Sequence, residues 1–135
     1  MVMKDFTTDK SSSKSASLPH SEVPPPEGFR EAVRIAFKMQ LFQGFEEEYK
    51  KRHDEIWPEL QTLLKQSGIS HYSIFFDETT NSLFGVMKVE DPKLLDNLPA
   101  QPVMQKWWKY MGDIMESNPD NSPVQTPLKE VFYLP

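Results

Sequence analysis

Two neighbouring segments, 71–76 and 83–89, carry apolar side chains at both odd and even positions. Successive side chains of a strand point to opposite faces, so a strand of this kind presents two apolar faces. The polar run 77–81 between the segments has the length of a hairpin loop. The sequence therefore predicts a sheet covered on both sides, by helices on one side and by a second sheet, most simply from another copy of the chain, on the other.

A helical stripe precedes this hairpin. Its members recur at steps of three and four residues and are Phe45, Tyr49, His53, Ile56, Leu60 and Leu63. Pro58 interrupts the stripe, because proline lacks an N–H and its ring clashes with the preceding turn of a helix. We therefore predict one helix that ends near His53 and another that begins near Trp57, with Pro58 in its first turn and Gly68 as its C-terminal cap.

The remaining elements complete a recognisable order. Residues 35–41 alternate between apolar and polar side chains, which is typical of a half-buried strand. A helix is predicted over about 102–115 and a last strand over 130–134. The inner stripe of that helix is expected to contain Val103, Trp107, Tyr110, Met111 and Ile114. This order predicts an α+β ferredoxin-like fold, with one antiparallel sheet and helices on one face.

Residues 1–30 differ in composition from the rest of the chain. They contain serine and proline runs at 11–13 and 24–26 and a single aromatic residue before Phe29. Such a segment buries too little apolar surface to offset the entropy lost on ordering. We predict a flexible tail over 1–30, more simply a non-essential extension than a docking arm, and one folded domain over 31–135.

Charge and residue content exclude several classes of protein. The chain has 15 basic and 20 acidic side chains, a net charge of −5 and no cysteine. Thiolate chemistry is therefore excluded, and without a basic stripe nucleic-acid binding is not expected. We find no membrane-spanning run, secretory signal or transit peptide, and we expect a cytoplasmic protein with no membrane contact. The histidines do not have metal-ligand spacing with carboxylates, so no metal site is expected.

Tyr49 and His53 are the first candidates for chemistry. Their spacing of four residues places a phenol and an imidazole side by side, facing the sheet. Histidine has an ordinary pKa of about 6.5, and the unpaired carbonyls of a helix end would favour its protonated form. We therefore expect His53 to be poised as a general acid. A histidine satisfied within the core is the alternative, and spacing alone favours it.

Aromatic residues supply the second group of candidates. Trp107 and Trp108 are adjacent, so on a helix their side chains point about 100° apart. We expect one of them to pack in the core and the other to line a cleft or an interface, where it could stack on a sugar. Tyr72, on a predicted strand, could bring its hydroxyl to the same cavity, although a core tyrosine is the more common outcome.

Three blocks of this sequence resemble the L-rhamnose mutarotase family. They are 48–53 with 56–60, then 107–111 with its Trp-Trp pair, and finally 118–123 with 130–135. The blocks occur in order, and the resemblance spans about 34–135. It implies a dimeric α+β barrel, in which two ferredoxin-like sheets face each other, and the interconversion of the α and β anomers of L-rhamnose without a cofactor.

The resemblance also implies roles for particular residues. It places the proton donor at His53 and the substrate-binding positions at Tyr49, Tyr72, Trp107 and Trp108. In ring opening His53 would protonate the ring oxygen, and Tyr49, Asp120 or a bound water would handle the anomeric hydroxyl. The alternatives are another enzyme of the barrel class, such as a small monooxygenase or a lactone isomerase, and a non-catalytic sugar-binding dimer.

Overall fold

The computed structural model describes residues 32–135, so the tail predicted over 1–30 lies outside the described residues. This part of the chain contains four strands, three α-helices and one 3-10 helix. In chain order they are β1 (Val33–Gln40), α1 (Glu46–Asp54), α2 (Pro58–Gln66), β2 (Ile69–Asp77), β3 (Ser82–Val89), a 3-10 helix (Pro92–Ala100), α3 (Pro102–Met111) and β4 (Gln125–Leu128). None of the helices in residues 32–135 combines the length and the apolar content needed to cross a bilayer.

The strands form one four-stranded sheet in the order β2-β3-β1-β4. Every neighbouring pair is antiparallel. The predicted α+β fold with a single antiparallel sheet is therefore confirmed. β1 and β3 lie at the centre, and the helices cover one face, which we call the inner face.

The inner face of the two central strands is the floor of the core. Phe37 is 1% exposed and lies opposite Gly85 of β3. A side chain at position 85 would collide with the Phe37 ring, so the absence of a Cβ there leaves room for the ring. The other buried residues of the core include Ile35, Met39, Leu60, Leu83, Met87, Trp107, Met111 and Ile114.

The predicted break in the helical stripe is confirmed. α1 ends at Asp54 and α2 begins at Pro58, where proline occupies the first turn and Trp57 is extended. Gly68 follows α2 with a φ of 83°, a conformation that L side chains rarely adopt. The chain therefore breaks from helical geometry at both ends of α2.

The last strand was predicted in the wrong place. The strand is Gln125–Leu128, and residues 130–134 have no strand pairing. Pro127 disfavours a strand over this segment, because proline has no N–H to donate. β4 is the edge of the sheet, however, where a missing N–H is tolerated. The apolar residues after it stay outside the core, and Val131 and Phe132 are 88% and 76% exposed.

The third helix is shorter than predicted. It ends at Met111, and the chain turns before position 115. Met111 and Ile114 are buried as expected. Tyr110 is not part of the inner stripe, since it is 43% exposed. Its ring instead stacks on Trp57, with 5.6 Å between the ring centroids.

The outer face of the sheet carries exposed apolar side chains. Phe75 is 63% exposed, and Val86 and Leu128 are 37% and 39% exposed. These residues belong to three different strands, so the apolar character extends across the sheet. The two-sided pattern of the hairpin thus corresponds to a buried inner face and an exposed apolar outer face.

The close approach of Phe37 to Gly85 gives a stability prediction. In Gly85→Ala the new Cβ would lie 2.5 Å from Cζ of Phe37, so the ring must move within a packed core. We expect the free energy of unfolding to fall by about 1–3 kcal/mol, measured by urea denaturation. Gly112→Ala is the control, because its Cβ would meet no atom closer than 3.4 Å. Equal midpoints for the two variants would contradict this account.

Candidate active site

A cavity of about 700 Å³ opens between the inner face of the sheet and the helices. Side chains from α1, α2, α3, β2 and β4 line it, so every layer of the fold contributes to its wall. The five site residues expected from the sequence all line this cavity: Tyr49, His53, Tyr72, Trp107 and Trp108. The fold therefore brings together residues that lie up to about sixty positions apart in the chain.

His53 is held by two aromatic neighbours and by its own helix. Its ring stacks on that of Tyr49 at a centroid distance of 4.3 Å and an interplanar angle of 27°. Trp107 meets the imidazole edge to face at 5.4 Å and 88°. Nδ1 lies 3.0 Å from the backbone carbonyl oxygen of Tyr49. Because a carbonyl can only accept, Nδ1 carries the hydrogen and donates it, which leaves Nε2 as the proton-exchanging atom.

Burial lowers the pKa of His53 below its ordinary value, against smaller opposing effects from the Tyr49 carbonyl and from Asp54. The expectation that the helix end favours the protonated form was therefore wrong in its net sign. The reason is that the imidazole lies among aromatic rings, where loss of solvation outweighs the attraction of the helix C-terminus. At neutral pH His53 is mostly uncharged, and its cationic form is a stronger acid than free imidazolium.

The two tyrosines of the cavity stay protonated. Tyr49 is 8% exposed, and its burial, together with the neighbouring Tyr72, raises its pKa above the ordinary value. Tyr72 lies against the Phe37 ring in the cavity wall, and the loss of solvation there raises the pKa of its phenol to about 12. The residue as a whole keeps 39% of its surface exposed, and because it lines the cavity this surface is available to a ligand. Both phenols therefore offer hydrogen-bond donors to a ligand and do not serve as bases.

Trp107 and Trp108 are each only 6% exposed, and both line the cavity. The prediction that one packs while the other faces a cleft or an interface was therefore wrong. α3 contacts α2 on one side and the 3-10 helix on another, so more than one side of this helix is covered. Two side chains about 100° apart can then both be buried and still border the same cavity.

Asp120 is outside the cavity. Its carboxylate accepts hydrogen bonds from the backbone N–H and the hydroxyl of Ser122, within the turn that precedes β4. Those hydrogen bonds lower its pKa. This carboxylate stabilises the turn and is a poor candidate for chemistry in the cavity, contrary to its inclusion among the sequence candidates.

Several polar residues of the cavity were not among the sequence candidates, and Gln125 and His71 are two of them. Gln125 lines the cavity from β4, and its Nε2 is buried without a hydrogen-bond partner. The strand was expected five residues later, so Gln125 was not recognised as a strand residue that faces the interior. His71 lines the cavity from an irregularity in β2 and has a φ of 49°. A residue with a left-handed backbone conformation interrupts the alternation of side chains in a strand, so sequence periodicity could not have indicated the position of His71.

The arrangement suits a small ligand with both apolar and polar faces. Aromatic rings form much of the wall, and a few hydroxyl, imidazole and amide groups project among them. Pockets of this kind orient small molecules by a small number of polar contacts. Within residues 32–135, no group of three or more His, Asp or Glu side chains is placed to hold a metal ion.

Solved structures of other proteins are similar to this chain. A crystal structure of L-rhamnose mutarotase from Formosa agariphila is 52% identical, has a TM-score of 0.72 and is matched over 76% of this chain and 99% of its own. A conserved protein from Methanosarcina mazei has a TM-score of 0.52 at 14% identity, which shows a shared fold only.

Sequence comparison identifies further proteins named L-rhamnose mutarotase. An L-rhamnose mutarotase from Rhizobium leguminosarum bv. trifolii is 59% identical over 100 residues, which cover 74% of this chain and 94% of that protein. One from Listeria monocytogenes is 55% identical over 101 residues, covering 75% and 97%. The family model for L-rhamnose mutarotase matches residues 34–134, a span that includes the whole cavity. This chain therefore belongs to the L-rhamnose mutarotase family.

Proposed function

We propose that this protein is an L-rhamnose mutarotase, an isomerase that interconverts the α and β anomers of L-rhamnose. The observation that carries the proposal is the His53 imidazole, stacked on Tyr49 and edged by Trp107 inside a cavity with room for a monosaccharide. This chain matches nearly the full length of relatives that bear this name. Membership in the family and the chemistry of the cavity thus support the same activity.

The aromatic wall fits the substrate. L-Rhamnose is a 6-deoxy sugar, so one side of its ring presents C–H groups and a methyl group while its edges carry hydroxyls. We assign the indole rings of Trp107 and Trp108 to the apolar side. We assign the neutral phenols of Tyr49 and Tyr72 to the hydroxyls, because both remain hydrogen-bond donors. This binding orients the sugar and leaves the anomeric carbon free to rotate after ring opening.

We assign the proton transfer to His53. Anomers exchange when the ring oxygen gains a proton, the anomeric hydroxyl loses one, the ring opens to the aldehyde and closes on its other face. Nε2 of His53 would deliver the proton to the ring oxygen and retrieve it on closure, since Nδ1 is engaged by the Tyr49 carbonyl. The low pKa of His53 makes its cation a ready donor.

The partner that takes the anomeric proton is assigned by elimination among the three candidates. The Asp120 carboxylate is engaged by Ser122 and does not line the cavity. The pKa of the Tyr49 phenol is raised, which makes it a donor at neutral pH. We therefore assign this proton to a water molecule that accompanies the sugar.

His53→Ala should remove the catalysis while leaving the fold intact. We expect the enzyme-dependent exchange between α- and β-L-rhamnose to fall by about 100- to 10,000-fold, measured by saturation-transfer NMR. Asp120→Asn is the matched control and should retain exchange, because that carboxylate lies outside the cavity. If the unaltered protein leaves the spontaneous rate unchanged, the proposed function is wrong. If His53→Ala exchanges normally, the role of His53 is wrong.

The direction of the pH dependence tests the protonation state that acts. If the cationic form of His53 is the donor, kcat should rise as the pH falls toward the lowered pKa of this residue, and level off below it. The spontaneous rate, measured at each pH without protein, is subtracted. A kcat that falls on acidification across the same range would instead make neutral Nε2 the base for the anomeric hydroxyl.

We further propose that a second copy of the chain covers the outer face of the sheet, which would complete the dimeric α+β barrel. Exposed apolar side chains on three strands, including Phe75 and Val86, support a protein partner at this face. A symmetric pair of sheets places like surfaces together, as an isologous interface requires. The cytoplasmic location stays a prediction of the sequence alone.

The oligomeric state can be measured by sedimentation velocity. We expect a dimer, and we expect Val86→Glu to shift it toward monomer because a buried carboxylate would lack a partner. Leu94→Glu is a matched control, since Leu94 is 40% exposed, close to the 37% of Val86, and lies on the 3-10 helix away from the outer face. A monomeric unaltered protein at micromolar concentration would refute the proposal.

A further inference from the structure

The helix that carries Tyr49 and His53 has few apolar contacts of its own. In α1 only Tyr49 is buried, and most of the other side chains are charged. The helix begins two residues after the Gly44 turn and ends at the break before Pro58. A nine-residue helix of this composition gains little from packing, so some other interaction must hold it against α3.

Arg52 supplies that interaction. Its side chain is 10% exposed, although Lys51 beside it on the helix is exposed. Nη1 and Nη2 donate to the two carboxylate oxygens of Asp113 at 2.9 and 3.3 Å. Nη1 also donates to the backbone carbonyl of Tyr110 at 2.7 Å, and Nε donates to Glu48 at 2.7 Å. Arg52 thereby joins α1 to the C-terminal end of α3.

The same turn of α3 is also in contact with the proposed catalytic group. The guanidinium of Arg52 lies over the Tyr110 ring, 4.2 Å from its centroid. Tyr110 contacts Trp107 at 5.7 Å between ring centroids, and Trp107 meets His53 at 5.4 Å. The contacts therefore form a closed circuit that leaves α1 at Arg52 and returns to it at His53.

We propose that Arg52 is a positioning residue, whose ion pair with Asp113 fixes the His53 ring against Trp107 and so sets the proton-transfer atom relative to the bound sugar. This inference rests on the proposed function of His53. Ion pairs near the surface contribute little to folding stability, and the Asp113 side chain is 67% exposed. A displacement of about 1 Å at a reacting group, in contrast, can cost about 100-fold in rate.

Kinetics of two variants that each remove one charge of the ion pair test the proposal. Arg52→Gln and Asp113→Asn should each lower kcat by on the order of 10- to 100-fold, with a smaller change in KM. The double variant should be no slower than the slower single variant, because the two changes remove the same ion pair. Lys51→Gln is the matched control, since it removes a positive charge from the adjacent, exposed position and should keep its kcat.

The titration of the His53 ring provides a readout that does not depend on activity. Removal of Arg52 takes away a positive charge and removal of Asp113 takes away a negative one, so direct electrostatics would move the pKa of His53 in opposite directions. If the bridge keeps this ring buried, both variants should raise that pKa toward its ordinary value. The NMR signals of His53 are identified by their loss in His53→Ala.

The possible outcomes separate the two proposals. Unchanged kcat and opposite pKa shifts in the two variants would refute the positioning role of Arg52. If the unaltered protein does not accelerate exchange, the proposed function fails, while the paired titrations still decide whether Arg52 holds His53. If Arg52→Gln does not fold, Arg52→Lys decides the question. It keeps the charge but not the two-pronged geometry, and should lose kcat and raise the His53 pKa if the proposal is right.

Discussion

The pairing of β1 with β3, in which Phe37 lies opposite Gly85, is the constraint on which the rest of this structure depends. The Phe37 ring occupies the space that any side chain at position 85 would need. The ring lines the cavity and meets Tyr72 of β2, on the far side of β3, edge to face at 6.2 Å between centroids. The packing that joins the central strands therefore also forms the floor of the site.

Burial has opposite consequences for the acidic and basic groups of the cavity, yet one common result. It raises the pKa of the phenols of Tyr49 and Tyr72, and it lowers the pKa of the His53 imidazole. All three groups are therefore uncharged at neutral pH, because an apolar wall penalises whichever form carries a charge. A neutral set of donors and acceptors at these three positions matches a neutral sugar.

The position of His53 depends on contacts made outside the cavity. α1 carries the proposed chemical groups but buries a single side chain, and both tryptophans of the cavity wall belong to α3. Arg52, which does not line the cavity, joins these two helices through a carboxylate and a backbone carbonyl. The division is physically sensible, since the cavity must leave room for a ligand and cannot also supply dense packing around the helix it borders.

Local patterns were sufficient for much of the fold. The apolar periodicities predicted the order of strands and helices, and Pro58 and Gly68 predicted the ends of α2, because their backbone preferences act within a few residues. The resemblance of short blocks identified the family and named five residues that line one cavity. These features depend on local conformation or on side chains whose identity is itself the signal.

Tertiary structure alone decided the rest. β4 lies at Gln125–Leu128 because an edge position tolerates Pro127, and edge positions exist only once the sheet is assembled. Both tryptophans are buried because α3 is covered on more than one side. The pKa of His53 falls because rings from two helices enclose it. The sequence by itself determined which groups are available and the local shape of the chain. Burial and charge pairing depend on distant neighbours, so the tertiary structure determined what those groups can do.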